Sequence, residues 1–251
     1  MPSHLQTTTE LLVFLAGLYA GIQNTLAGGG SFITFPALLL AGLNPLAANM
    51  TSTIALFPNQ IVSSLAGRKL ARGVGELTIL KLFVLSVAGG IVGAILLLHT
   101  PVTFFSRLVP WLVLFATFIF AWGSFRKKQL HAAKAIPGGL LAFIQFIIAI
   151  YGGYFGGGIG FLMLAALIVA GQEVRVATAT KNVMAMAMNA SAVVLFAYSS
   201  QIDWHAAFAL SMGGVAGAIV GGWLLHRLPE LYMRGFVVLV GVILTGWLFL
   251  R

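Results

Sequence analysis

Gly28-Gly29-Gly30-Ser31-Phe32 and Gly156-Gly157-Gly158-Ile159-Gly160-Phe161 decide how this chain folds. Each glycine cluster stands between two apolar runs. Each is followed by a short apolar stretch, 31–42 and 160–171, of twelve residues. Twelve helical residues reach about 18 Å, roughly half to two-thirds of the hydrocarbon thickness of a bilayer. Glycine breaks helices because it loses the most backbone entropy and readily takes non-helical angles. Segments 11–42 and 136–171 therefore read as two broken helices or helical hairpins, each with its break at membrane depth.

The rest of the composition makes the membrane the solvent. Sixty per cent of the 251 residues are hydrophobic and 8% are charged, against about 25% charged in ordinary globular chains. Fourteen basic and five acidic residues cannot cover the core of a chain this long in water. Leu77–Leu98 and Val176–Tyr198 each read as a run of roughly the 20 apolar residues that cross a bilayer. Further helices are expected over 47–66, 104–125, 204–225 and 234–250. The expectation is an all-α polytopic protein with no separate soluble domain. No basic region precedes Leu11–Leu18, so Leu11 onward reads as mature structure rather than a cleaved signal. There is no cysteine, which excludes disulfides and thiolate metal sites. Nothing else suggests a metal or cofactor. The basic excess sits in short loops with no aromatic interleaving, so it sets orientation rather than binding nucleic acid.

Loop charge assigns the sides. Loop 67–76 holds Arg68, Lys69 and Arg72, and loop 126–135 holds Arg126, Lys127, Lys128 and Lys134. Arg175 and Arg227 follow in loops 172–176 and 226–233. The alternate loops carry only Asp203. By the positive-inside rule the first set is cytoplasmic, and both termini fall outside the inner membrane. That arrangement closes only if residues 1–128 and 129–251 form halves of opposite orientation. The halves also match in sequence. One register lays Gly28-Gly29 over Gly157-Gly158, Ala41-Gly42 over Ala170-Gly171, Thr51 over Thr180 and Gln60 over Asn189. Inverted repeats with broken helices at matching positions are the architecture of secondary transporters, whose substrate sits where half-helix ends meet near the midplane.

The candidate site follows from that architecture. Helices that begin at Gly28, Gly29, Gly30 and at Gly156, Gly157, Gly158, Gly160 present unpaired N–H groups and the positive end of the macrodipole. Such ends take anions. Ser31 adds a hydroxyl. The next helix of each half contributes Asn49, Thr51 and Ser52, then Thr178, Thr180 and Lys181, with Gln60 and Asn189 deeper in. Gln23 and Asn24 are further lining candidates. Packing is the competing reading for every glycine, and it is the better one for pairs such as Gly17/Gly21, Gly89/Gly93 and Gly213/Gly217. Lys181 has two open readings. It can pair with an anion, or it can snorkel to the surface.

At these residues the chain resembles the TauE/SafE family of sulfite exporters. The first copy of the pattern reads Gly28-Gly29-Gly30-Ser31-Phe32-Ile33-Thr34-Phe35-Pro36, then Asn44 to Ser52. The second reads Phe155 to Phe161, then Val176-Ala177-Thr178-Ala179-Thr180-Lys181. The resemblance implies export of a small sulfur-containing anion such as sulfite or a sulfonate, without ATP. The second copy departs from the pattern: Ala165 stands where Pro36 stands in the first, and Thr180-Lys181 replaces Thr-Ser. The expected function is a secondary transporter working by alternating access, with an anion channel or passive facilitator as the alternative. A coupling proton would have to ride on His99, His205 or His226, because no carboxylate lies deep in a span. No GxxxxGK[ST], GxSxG or HExxH occurs, which argues against ATP drive and against an enzyme. The sequence is silent on oligomeric state.

Overall fold

A computed structural model describes residues 3–26, 29–125, 137–224 and 230–250. Among them the chain is helical throughout, with no strand beyond an isolated bridge between Val74 and Leu77. The helices are α1 (Ser3–Leu26), α2 (Ser31–Leu40), α3 (Pro45–Gly67), α4 (Ile79–Leu98), α5 (Val102–Phe125), α6 (Gly138–Tyr154), α7 (Ile159–Val169), α8 (Val174–Phe196), α9 (Trp204–Leu224) and α10 (Glu230–Leu250). The fold is an all-α membrane protein. The short helices α2 and α7 stand where the glycine clusters put them. Loop 126–135, Gly28, His226 and the chain ends lie outside the described residues.

Among the described residues, three helical stretches are long and apolar enough to cross a bilayer: Ile79–Leu98, Val102–Gly123 and Trp204–Gly221. The run Val176–Tyr198 is less apolar than these. The physical reason is its polar content. Helix α8 carries Thr178, Thr180, Lys181, Asn182 and Asn189, so it suits the protein interior rather than lipid.

The helices gather into two compact units. One holds residues 1–59, 100–124 and 199–251, and the other holds 60–99 and 125–198. Neither unit follows a division at residue 128, because each draws helices from both sequence halves. In the first unit α1 crosses α9. Gly17 meets the Leu210 carbonyl, Gly21 that of Gly214, Gly213 that of Phe14 and Gly217 that of Leu18. A Cβ at any of these would strike partner backbone, so small residues set the close approach. In the second unit α4 crosses α6 in the same manner, with Gly93 against the Ile150 carbonyl and Gly153 against that of Gly90. These glycines are packing residues.

The second unit has a core of Leu82, Leu141, Ile148, Ile159, Met163, Leu167, Met184 and Met188. The methionines fill the irregular gaps where α7 lies on α8. One buried polar pair crosses this core: Gln145 donates to the Ser86 hydroxyl at 2.9 Å, and Ser86 donates to the Leu82 carbonyl at 2.8 Å. Pairing offsets the cost of burying both groups away from water.

The two short helices end alike. After α2, the Gly42 amide donates to Leu39 and that of Leu43 to Leu38; after α7, Gly171 donates to Ile168 and Gln172 to Leu167. Gly42 has φ 95° and Gly171 has φ 98°. Both ends are Schellman motifs, which need a left-handed residue just past the helix.

Candidate functional site

The site residues fall in both units, and each set has its own geometry. In the second unit the chain leaves α6 at Tyr154 and turns through Gly156, φ 79°, and Gly158, φ 74°. Only glycine adopts such angles without strain. Gly157 and Gly158 are buried. Gly158 forms the left-handed N-cap of α7, with no side-chain cap. Its carbonyl accepts from Phe161 at 3.1 Å, so the helix starts at once. The amides of Gly158, Ile159 and Gly160 meet no acceptor among the described residues. They are the orphan donors of a helix start.

Lys181 lies against this helix start. A Cβ on Gly160 would sit 3.7 Å from Lys181 Cδ and 3.8 Å from its Nζ. Helix α8 begins at Val174, two residues before the apolar run read from the sequence, so Lys181 is its eighth residue. That puts it about 10 Å from the helix start, about two turns in. No carboxylate among the described residues pairs with the ammonium. A cation beside a helix N-terminus is unfavourable alone, because both are positive. An anion seated between them removes the conflict and satisfies the orphan donors.

The first unit is arranged differently. Gly29, φ 86°, precedes α2. The Gly30 amide donates to Asn24 Oδ1 at 2.7 Å, so a carboxamide already occupies this helix start. In the register that lays Gly29 over Gly158, Asn24 falls on Gly153, which has no side chain to do the same. Lys181 falls on Ser52. Ser52 is hydrogen-bonded to Thr34 at 2.6 Å, and both are buried. Thr34 also donates to the Gly30 carbonyl at 3.3 Å. Ser31 is half-buried. The α2 start is therefore neutral and capped by Asn24, whereas the α7 start has no side-chain cap and a lysine beside it.

Other expected site residues have structural duties. Thr180 is fully buried, and its hydroxyl accepts from the Arg72 amide and donates to the Arg72 carbonyl, both at 3.1 Å. Gln172 donates to the carbonyls of Arg72 and Gly73 at 2.9 and 3.0 Å. Thr51 holds the matching place in the first unit, accepting from the Asp203 amide at 3.2 Å. Each threonine thus pins the loop that leads into the other half's long helix. Asn49 is buried, and its carbonyl accepts from Thr53. Thr178 bonds back to the Val174 carbonyl at 2.7 Å, as membrane threonines commonly do. Asn189 donates to Gln60 Oε1 at 2.8 Å, so the two amides meet each other.

Sequence reasoning named Asn24 only as a lining residue and missed Thr34 and Gln172. Asn24 ahead of a glycine cluster was the one available signal, since Asn commonly caps local backbone. Thr34 and Gln172 act through partners distant in sequence. Among the described residues no group of His, Cys, Asp and Glu could hold a metal ion.

A glycine-broken pair of short helices with this polar second helix is what family comparison tests. The model of the sulfite exporter TauE/SafE family matches residues 13–248. This chain belongs to that family. It is also similar to curated membrane proteins over nearly its full length. A probable membrane transporter protein of Haemophilus influenzae is 28% identical over 241 residues, covering 94% of this chain and 92% of the relative. Probable membrane transporter protein ORF9 of a Sinorhizobium species is 26% identical, covering 93% and 89%. Probable membrane transporter protein YfcA of Escherichia coli K12 is 25% identical, covering 94% and 87%. The TauE/SafE chain described here is thus a multi-pass membrane protein of a transporter family.

Proposed function

We propose that this membrane transporter moves a small oxyanion, sulfite or an organic sulfonate, and that the anion binds between Lys181 and the start of α7. The observation that carries the reading is the Lys181 ammonium resting on Gly160, with no ion-pair partner among the described residues, beside N–H groups that meet no acceptor among them. A tetrahedral or pyramidal oxyanion offers several acceptor oxygens, enough to take a lysine and two or three amides together. The family's description supports the sulfur-containing class.

Transport runs in this reading by alternating access of two inverted repeats, residues 1–128 and 129–251. Two features support the repeat: left-handed glycines at matching places, Gly29 with Gly158 and Gly42 with Gly171, and the reciprocal threonine anchors. The orientation proposed is that of the loop charges, with loops 67–76 and 126–135 cytoplasmic and both termini outside. Export is the proposed direction, and His99 or His205 is the place to seek a coupling proton. The chain acts without a cofactor and catalyses no covalent step.

The test is a melting-shift screen on purified protein with sulfite, sulfate, thiosulfate and alkyl sulfonates. A ligand that binds the native state alone raises the melting point. A shift with at least one sulfur oxyanion, lost in Lys181→Met, is expected. No shift with any of them, together with wild-type flux in Lys181→Met vesicles, sinks the reading. Large unitary currents in a planar bilayer would favour a channel instead.

A further inference from the structure

A second feature of this molecule lies apart from the anion site, at the start of α4. A groove of about 450 Å³ is lined by Leu77, Leu80, Lys81, Val84, Leu85 and Ala142. Its walls are apolar. Leu80 and Val84 are largely exposed, and α4 is one of the helices long and apolar enough to cross a bilayer. In a membrane, the open side of this groove meets lipid rather than water. From Leu77 to Leu85 it follows about 12 Å of chain rise, a fraction of one acyl tail.

The groove has one charged end. Lys81 is the third residue of α4, where the first turn exposes the positive end of the helix. Thr78 caps the helix by accepting from the Lys81 amide at 3.3 Å. The ammonium has no ion-pair partner among the described residues. The acid nearest in sequence, Glu76, lies against Gly138 at the start of α6 and forms no ion pair with Lys81. Arg68, Lys69 and Arg72 in the preceding loop carry the same sign as Lys81. An apolar groove with a lysine at its headgroup end matches a lipid of opposite charge.

We propose that this groove holds one acyl chain of an anionic glycerophospholipid, with the headgroup phosphate engaged by Lys81. A zwitterionic lipid fits the groove equally well but forgoes the net attraction. The bound lipid would be a fixed component of the transporter's cytoplasmic rim, whatever anion the chain carries.

The experiment is native mass spectrometry of the full chain in detergent, with equimolar phosphatidylglycerol and phosphatidylcholine added. The wild type should retain phosphatidylglycerol over phosphatidylcholine about fivefold, the preference one basic residue near a headgroup confers. Lys81→Gln should bind both lipids equally, whereas Lys69→Gln should keep the preference. Ala142→Phe fills the groove and should release both lipids. Equal retention by the wild type, or a preference undiminished in Lys81→Gln, would mean adventitious annular lipid only and overturns the proposal. So does unchanged retention in Ala142→Phe. Melting curves of each variant check folding, and Lys81→Gln decides the question if Ala142→Phe does not fold. None of these outcomes depends on anion transport.

Discussion

Replacing Lys181 by methionine separates the anion-binding reading of this lysine from the snorkelling one. Methionine keeps the length and apolar stem of lysine, so the packing against Gly160 survives while the charge is lost. The ammonium sits 3.8 Å from where a Gly160 Cβ would be, so a ligand touching the α7 amides lies within direct contact of it. A hydrogen bond to a charged group contributes about 1.5–3 kcal/mol net. That corresponds to a loss of about ten- to a hundredfold in affinity. Isothermal titration on purified protein, or KM for uptake into vesicles, reads this directly. Gly160→Ala provides the matching steric arm. Its methyl makes ordinary contact with Lys181 and needs no unusual backbone angle, so the fold tolerates it. It covers the amides an anion would use, and affinity should fall again. Because both changes act on one ligand, their effects should be less than additive in the double variant. Wild-type affinity in Lys181→Met refutes the reasoning, because the ammonium would then be a surface charge reaching for water. Position 160 is a better probe than 29 or 158. Those two glycines have positive φ, and a side chain at Gly29 would also strike the Phe120 ring.

Four further outcomes follow from the same geometry. Asn24→Ala removes the acceptor of the Gly30 amide and should cost about 1 kcal/mol, read as a lower melting point, with anion affinity unchanged. Gly158→Ala forces a left-handed alanine at the α7 N-cap, at a cost of about 1–2 kcal/mol, and should weaken anion binding by displacing the helix start. Thr180→Val strands the Arg72 amide, while the Arg72 carbonyl keeps its bond from Gln172; faster hydrogen exchange at residue 72 should report it. A double-mutant cycle on Gln60 and Asn189 should give a coupling of about 0.6 kcal/mol, the average for hydrogen bonds between membrane helices, and zero coupling would mean the amides act separately.

Much of the helical map was legible from residue order because it depends on local chemistry. Glycine clusters, apolar run lengths and loop charge are properties of neighbouring residues, and α2 to α10 begin and end within a few residues of expectation. The exception is α1, which begins at Ser3 rather than near Leu11, because Ser3–Glu10 is polar yet helical. Hydropathy detects the apolar part of a helix, not its polar extension. Helix α8 combines many alanines and valines, which read as a span, with Lys181 and Asn189, which need protein partners.

The candidate site was legible in part. The sequence named both glycine breaks and the polar residues after them, and it treated the two halves as near equals. Their difference lay in contacts. Asn24 closes one helix start across six residues of chain, and Ser52 is taken by Thr34 across eighteen. Lys181 stays uncompensated because its neighbour in space is Gly160, twenty-one residues away. Periodicity cannot say which of two buried polar groups will find a partner, since that depends on how α2 and α7 lie against α3 and α8.

By itself, then, the sequence determined an all-helical membrane chain with two glycine breaks, each followed by a short helix. Composition and backbone preference suffice for that. Only the tertiary structure decided that the compact units draw on both sequence halves, that Asn24 caps one helix start, and that Lys181 lies at the other with no ion-pair partner among the described residues. Those facts rest on distances between residues far apart in the chain, where local preference carries no information.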